Sequence, residues 1–271
     1  MRLHHLNCGT MCPICRRLVN GDGSWFESGR LICHCLLIVK DSGDLILVDG
    51  GFGLADCADK SRFPWFWRLQ ARPVFDPEET AIRQIEALGL DPAKLNDIIL
   101  THLDRDHCGA MTDFPAAKIH VSDVEWRTVF ENNPPARPGR YLTAQMSHGP
   151  EFVRHNTGSE NWFGLEAVYP LGSDVPIVMV ALYGHTPGHC GVAVKRDNGR
   201  WLLHAGDAVF NLNPLRQPPR EAPVAMKLFE KRAVTNDAQR LASVDALKRI
   251  SRDHADEMDI ICSHDLNGMP G

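Results

Sequence analysis

The chain has 271 residues, 44% of them hydrophobic, enough for a full core and near the upper end of single-domain sizes, so one domain over 1–271 is expected. Its 29 basic and 34 acidic side chains leave a formal charge of −5 with no basic block, which argues against a nucleic-acid or anionic-membrane surface. The N-terminal segment lacks the apolar core of a leader, Leu36 to Val39 is far too short to span a bilayer, and nine cysteines are too sparse and odd in number for a disulfide scaffold, so a cytoplasmic protein with reduced thiols is expected.

Short β-type runs open the chain at Arg2 to Asn7, Cys33 to Lys40 and Leu45 to Val48, with Asp41-Ser42-Gly43-Asp44 as a hairpin turn. Asp49-Gly50-Gly51-Phe52-Gly53 then breaks the pattern with glycines that allow positive φ at a strand end. Asp76 to Leu88 has a helix start, apolar Ile82, Ile85 and Leu88 at helical spacing, and a stop at Gly89. Strands are expected at Asp97 to Thr101 and Lys118 to Val121, followed by a helix capped at Ser122 that ends near Pro134-Pro135. From about Asn133 to Gly164 the chain is rich in Pro, Gly, Asn and Ser and reads as a long irregular connection. The second half repeats the theme, with strands at Ile177 to Leu182, Val192 to Lys195, Trp201 to His204 and Asp259 to Cys262, and a helix at Asn236 to Arg252. Strands followed by helices, twice over, predict an α/β four-layer αββα sandwich.

The densest chemistry is Thr101-His102-Leu103-Asp104-Arg105-Asp106-His107, directly after a strand. Imidazoles and carboxylates crowded together need a cation to coexist, and this mixed donor set suits zinc, iron or manganese better than calcium. A single His-x-Asp pair would more often be a solvated polar loop. Three further fragments make the pattern specific: Gly184-His185-Thr186-Pro187-Gly188-His189, Ala205-Gly206-Asp207 and Cys262-Ser263-His264-Asp265, each at an expected strand end.

With these motifs, and Leu47-Val48-Asp49 before its glycine turn, nearly the whole chain resembles the metallo-β-lactamase superfamily, whose motif is His-x-His-x-Asp-His followed by a distant His, an Asp and a final His. The resemblance implies the metallo-β-lactamase fold and two metal ions. By position, His102, Asp104 and His189 would hold the first metal and Asp106, His107 and His264 the second, with Asp207 bridging; Asp106 and Asp207 are the catalytic candidates. Asp104 departs from the usual His, which makes the site more anionic. Zinc is the first expectation, and the extra carboxylate opens the way to iron or manganese. His185, His204 and Asp49 are read as turn or supporting residues.

A hydroxide held by two metals makes the expected reaction hydrolysis of a small-molecule substrate. Similarity to lactonase-like and glyoxalase-like members, with Phe114-Pro115 and then Ile119-His120-Val121 after the ligand loop, puts a carboxylic ester or lactone first, ahead of thioesters, phosphodiesters and β-lactams. Flavin-linked diiron members also carry a carboxylate at the Asp104 position, so a non-haem diiron redox protein is the competing class. Against it, no Gly-x-Gly-x-x-Gly fingerprint stands between a strand and a helix. Cys8, Cys12 and Cys15 lack a matching second pair for structural zinc and read as buried or idle thiols, Cys33 and Cys35 included. Phe63-Pro64-Trp65-Phe66-Trp67 is equally compatible with core packing and with a lid or subunit contact, the latter being the case for a homodimer.

Overall fold

The structure, a computed structural model, describes residues 1–132 and 139–270. Its first sheet runs in the order β1 (Arg2–Met11), β2 (Leu31–Val39), β3 (Leu45–Val48), β4 (Leu95–Ile99), β5 (Lys118–Ser122) and β6 (Glu151–His155). β1 to β3 pair antiparallel and β3 to β6 parallel. The second sheet contains β7 (Glu160–Trp162), β8 (Leu165–Val168), β9 (Ile177–Ala181), β10 (Cys190–Lys195), β11 (Trp201–His204) and β12 (Met258–Ile261), ordered β12-β11-β10-β9-β8-β7. Only its β11 and β12 are parallel neighbours.

β2 and β3 are buried throughout, because both faces of the first sheet are covered there. Leu36, Ile38, Ile46, Val48 and Ile99 of the first sheet meet Met179, Val192, Val194 and Leu202 of the second, forming the core between them. On the outer face of the first sheet, Leu37, Leu47, Ile98 and Ile119 pack with Ala81 and Ile85. On the outer face of the second, Val178, Val180 and Leu203 pack with Val244, Leu247 and Ile250. The helices are α1 (Arg16–Val19), α2 (Leu54–Ala58), α3 (Trp65–Ala71), α4 (Ala81–Ala87), α5 (Asp123–Phe130), α6 (Thr143–Met146), α7 (Val224–Ala233) and α8 (Asp237–Asp253). The expected αββα layering is therefore present. No helix among the described residues is long and apolar enough to cross a membrane.

Several local expectations change. The helix expected over Asp76 to Leu88 is split: a 3-10 turn covers Pro77–Glu79, Thr80 is extended, and α4 begins only at Ala81. The long irregular connection carries α6, β6 and β7 instead; β6 is an edge strand whose partly exposed side chains leave no apolar run to read, and pairing with β5 defines it. The expected helix end at Pro134-Pro135 lies outside the described residues, and α5 ends at Phe130. The hairpin turn forms as expected, with Lys40 N donating to Asp44 O at 2.9 Å and Gly43 at φ 87°.

Candidate metal centre

The parallel pairing of β3 with β4 sets Asp49 beside Thr101, just past the ends of both strands. Asp49 has φ 55°, a left-handed conformation that Asp tolerates better than most residues, and Gly51 at φ 53° could not carry a Cβ, which would lie 2.1 Å from Cys8 O. The Asp49 carboxylate accepts from Thr101 N and Thr101 Oγ1, both at 2.8 Å, and pairs with His107 Nδ1 at 2.9 Å. The His107 ring is thereby oriented with Nε2 inward, as a supporting carboxylate does in metal sites. His264 is set the same way, its Nδ1 donating to Ile32 O at 2.8 Å.

Two groups of donor atoms face each other across Asp207. Around its Oδ2 lie His185 Nε2 at 3.4 Å and His102 Nε2 at 3.8 Å, while Asp104 Oδ2 is 3.0 Å from His185 Nε2 and 3.4 Å from His102 Nε2. Around its Oδ1 lie His264 Nε2 at 3.2 Å, which is also 3.3 Å from Oδ2, and His107 Nε2 at 3.6 Å, with Asp106 Oδ2 3.7 Å from His264 Nε2. Separations of this size are those of neighbouring donors around one cation with bonds of about 2.0–2.2 Å. His102 Nε2, His107 Nε2 and Asp207 Oδ1 are buried without a hydrogen bond, a costly arrangement that a cation at each position removes. The donor set thus fits two metal ions.

The electrostatics tell the same story. Burial opposes charge on His264, yet the Asp207 and Asp106 carboxylates raise its pKa to about 9. Burial likewise opposes charge on Asp207, and the surrounding His264, His107 and His185 rings hold it well below the usual carboxylate range. Buried carboxylates here need positive charge.

His185, not His189, completes the first group, which corrects the sequence expectation. His189 donates from Nδ1 to Leu182 O at 2.9 Å and accepts at Nε2 from Asp207 N at 2.8 Å, so both ring nitrogens are engaged by backbone. It positions the Asp207 loop rather than facing a cation. Gly206 lets it do so, since a Cβ there would stand 2.6 Å from His189 Nε2. His204 stays outside both groups, contacting His34 O at 2.7 Å.

Asp104 brings its own counter-charge, from a residue that sequence reasoning did not single out. Arg140 Nε donates to Asp104 Oδ1 at 2.6 Å, and its other nitrogens donate to Ala233 O at 2.6 Å and His185 O at 3.1 Å. The pair cancels the extra negative charge expected from Asp104. Nothing local in sequence marks Arg140, because the contact spans 36 residues. Glu125, equally unmarked, accepts from Leu103 N and Gly188 N, each at 3.1 Å, and ties the two ligand loops together.

A cavity of about 970 Å³ opens onto Asp104, Asp106, Asp207, His185 and His264. Phe66 and Trp67 line it, whereas Phe63 is buried in an aromatic cluster with Phe52 and Phe75, and Trp65 is exposed, so the aromatic segment divides between core and cavity wall. Cys8, Cys33 and Cys35 are buried free thiols, and Cys12 and Cys15 are partly buried free thiols.

Residues 28–254 match the family model of the metallo-beta-lactamase superfamily. The chain is 39% identical over 266 residues to a probable metallo-hydrolase, Rv2300c, of Mycobacterium tuberculosis, covering 98% of this chain and 80% of that protein. It is 27% identical over 221 residues to the N-acyl homoserine lactonase AttM of Rhizobium radiobacter, covering 79% of this chain and 78% of the relative. A crystal structure of a B. thuringiensis AiiA variant with N-decanoyl-L-homoserine bound shares the fold at a TM-score of 0.71 and 19% identity, over 98% of this chain and 93% of that one. Motif order, layer architecture and these matches agree: the chain belongs to the metallo-beta-lactamase superfamily.

Proposed function

We propose that the protein is a hydrolase that uses two divalent metal ions, zinc before iron or manganese, to cleave a carboxylic ester or lactone in a small-molecule substrate. The observation that carries this reading is Asp207, whose carboxylate lies between two clusters of inward-pointing imidazoles and carboxylates. His102, Asp104, His185 and Asp207 Oδ2 would hold the first ion; Asp106, His107, His264 and Asp207 Oδ1 the second. Metals bound there would supply acidified water and a Lewis acid for a carbonyl oxygen. Zinc comes first because the Arg140 guanidinium cancels the charge of Asp104, leaving a site no more anionic than one with a neutral imidazole there.

The chain's own groups supply the rest. Asp106 lines the cavity, and its carboxylate takes the proton of the attacking water and returns it to the leaving alkoxide. The apolar wall of the cavity holds the acyl portion and limits water. The names of the lactonase relatives support an ester or lactone over thioesters, phosphodiesters and β-lactams.

The test is elemental analysis of protein purified without added metal, followed by an ester, lactone and thioester panel. Two ions per chain are expected, with activity lost on chelation and restored by two equivalents of zinc. One ion or none after reconstitution, or no turnover of any ester or lactone, would refute the reading.

A further inference from the structure

Arg105 stands between Asp104 and Asp106 in the ligand loop, yet neither metal group uses it. Its backbone is fixed on both sides, N donating to Arg140 O at 3.2 Å and O accepting from Gln145 Nε2 at 2.8 Å. The side chain is only 9% exposed and lines the cavity. Its Cζ lies over the Trp67 ring, 5.1 Å from the centroid, and its Nη1 is buried without a hydrogen bond. Among the described residues no carboxylate lies within ion-pair distance of it; the flanking Asp106 and Asp104 offset its burial only in part, from further away. Two other buried ionic groups near the centre have charged partners, Asp104 in Arg140 and Asp49 in His107.

A guanidinium largely withdrawn from water with no ion-pair partner is costly, and such residues are almost never buried unless paired. Stacking on Trp67 fixes the plane of the fork but neutralises nothing. The missing partner is therefore an anion that enters the cavity. Arg72 and Arg232 line the same space and add positive potential, in a chain whose net charge is −5. Met11, Ile14, Leu31, Leu69 and Phe229 give the wall a large apolar part.

We infer that Arg105 is the specificity anchor of this site, binding a carboxylate that the substrate carries in addition to its scissile ester or lactone, with an apolar chain between the two. The planar guanidinium matches a carboxylate with two parallel hydrogen bonds, which a lysine in its place could not reproduce. This carboxylate differs from the one hydrolysis creates: the new one forms at the scissile carbon beside Asp207, while Arg105 holds the far end. The inference rests on the hydrolase reading above for its chemistry, but its binding half can be measured without turnover.

The experiment uses the zinc-loaded full-length protein and p-nitrophenyl monoesters of straight-chain diacids of roughly four to ten carbons, the far carboxylate left free or capped as the methyl amide. At the best chain length the free acid should exceed its capped twin in kcat/KM by at least about tenfold, since a desolvated charge pair is at stake. In Arg105→Met that ratio should fall to about one, and Arg105→Lys should recover part of it. Calorimetric binding of each diacid and its mono-methyl amide to the same three proteins should follow the same order, with metal content and Tm confirming that each variant is folded. A ratio near one in the wild type at every length, or a preference that survives in Arg105→Met, overturns the anchor. If no ester turns over while the diacid still binds at least tenfold more tightly than its amide and loses that margin in Arg105→Met, the hydrolase reading fails and the anchor stands.

Discussion

His185 and His189 sit four residues apart on one turn, both buried, and do different work. His185 Nε2 faces Asp104 and Asp207, while His189 spends both nitrogens on the backbone of Leu182 and Asp207. His185→Ala should therefore lose one metal ion per chain and at least about a hundredfold in kcat, as removal of a ligand from a two-metal site does. His189→Ala should keep the capacity for two ions under saturating zinc but lose about 2–3 kcal/mol of stability, because two buried backbone groups are left unpaired. Elemental analysis with urea unfolding of both variants decides between them. Two retained ions in His185→Ala would remove it from the ligand set. Asp207→Ala is the harsher companion, expected to empty both positions; more than a tenth of wild-type turnover would mean that Asp207 is not the bridge.

At the level of elements, α8 does more than cover the second sheet. The side chain of Asn236, its N-cap, accepts from Gln239 N at 3.2 Å, and Thr235 N and Asn236 N donate to Gly184 O at 2.9 and 3.0 Å. The helix start thus backs the turn that carries His185. Gly184, at φ 126°, admits this approach, as a Cβ there would lie 2.2 Å from Arg240 N. Asn236→Ala should cost about 1 kcal/mol, a drop in Tm of about 2–4 °C, and Asn236→Ser should recover most of it. Thermal denaturation of the three proteins at one metal concentration measures this; equal Tm values would show that the cap carries no stability.

Across the whole molecule, stability also depends on acids buried away from the metal centre. Burial raises the Asp113 pKa from the usual 3.8 to about 7, and the nearby Asp56 adds to the shift. A carboxyl whose folded pKa is raised contributes stability that is complete below pH 3.8 and is lost as pH rises through about 7. Within that window the loss is at most about 1.4 kcal/mol per pH unit. Asp113→Asn keeps an oxygen for Leu54 N, which donates to Asp113 at 3.1 Å, and removes the buried charge. The variant should be more stable than wild type at pH 8 and gain little at pH 4.5, by urea unfolding at both values. A gain of the same size at both would show that Asp113 does not titrate in this range.

The layered fold and the presence of His/Asp metal-binding groups were legible in the sequence, because both depend on local pattern. Apolar runs between turn residues predict strands whatever they later pair with, and His102, Asp104, Asp106 and His107 fall at a strand end by sequence alone. The edge strand β6 was not legible, since its half-exposed residues acquire strand character only by pairing with β5. Likewise, Gly184-His185-Thr186-Pro187-Gly188-His189 offers two imidazoles, and only the turn geometry determines which one points inward. Arg140 and Glu125 come from distant segments, so their effect on charge and loop position arises when the chain folds. Donor types are a property of the residues, fixed by the order of the chain; donor directions and the balance of buried charge are properties of packing, and only the tertiary structure decided them.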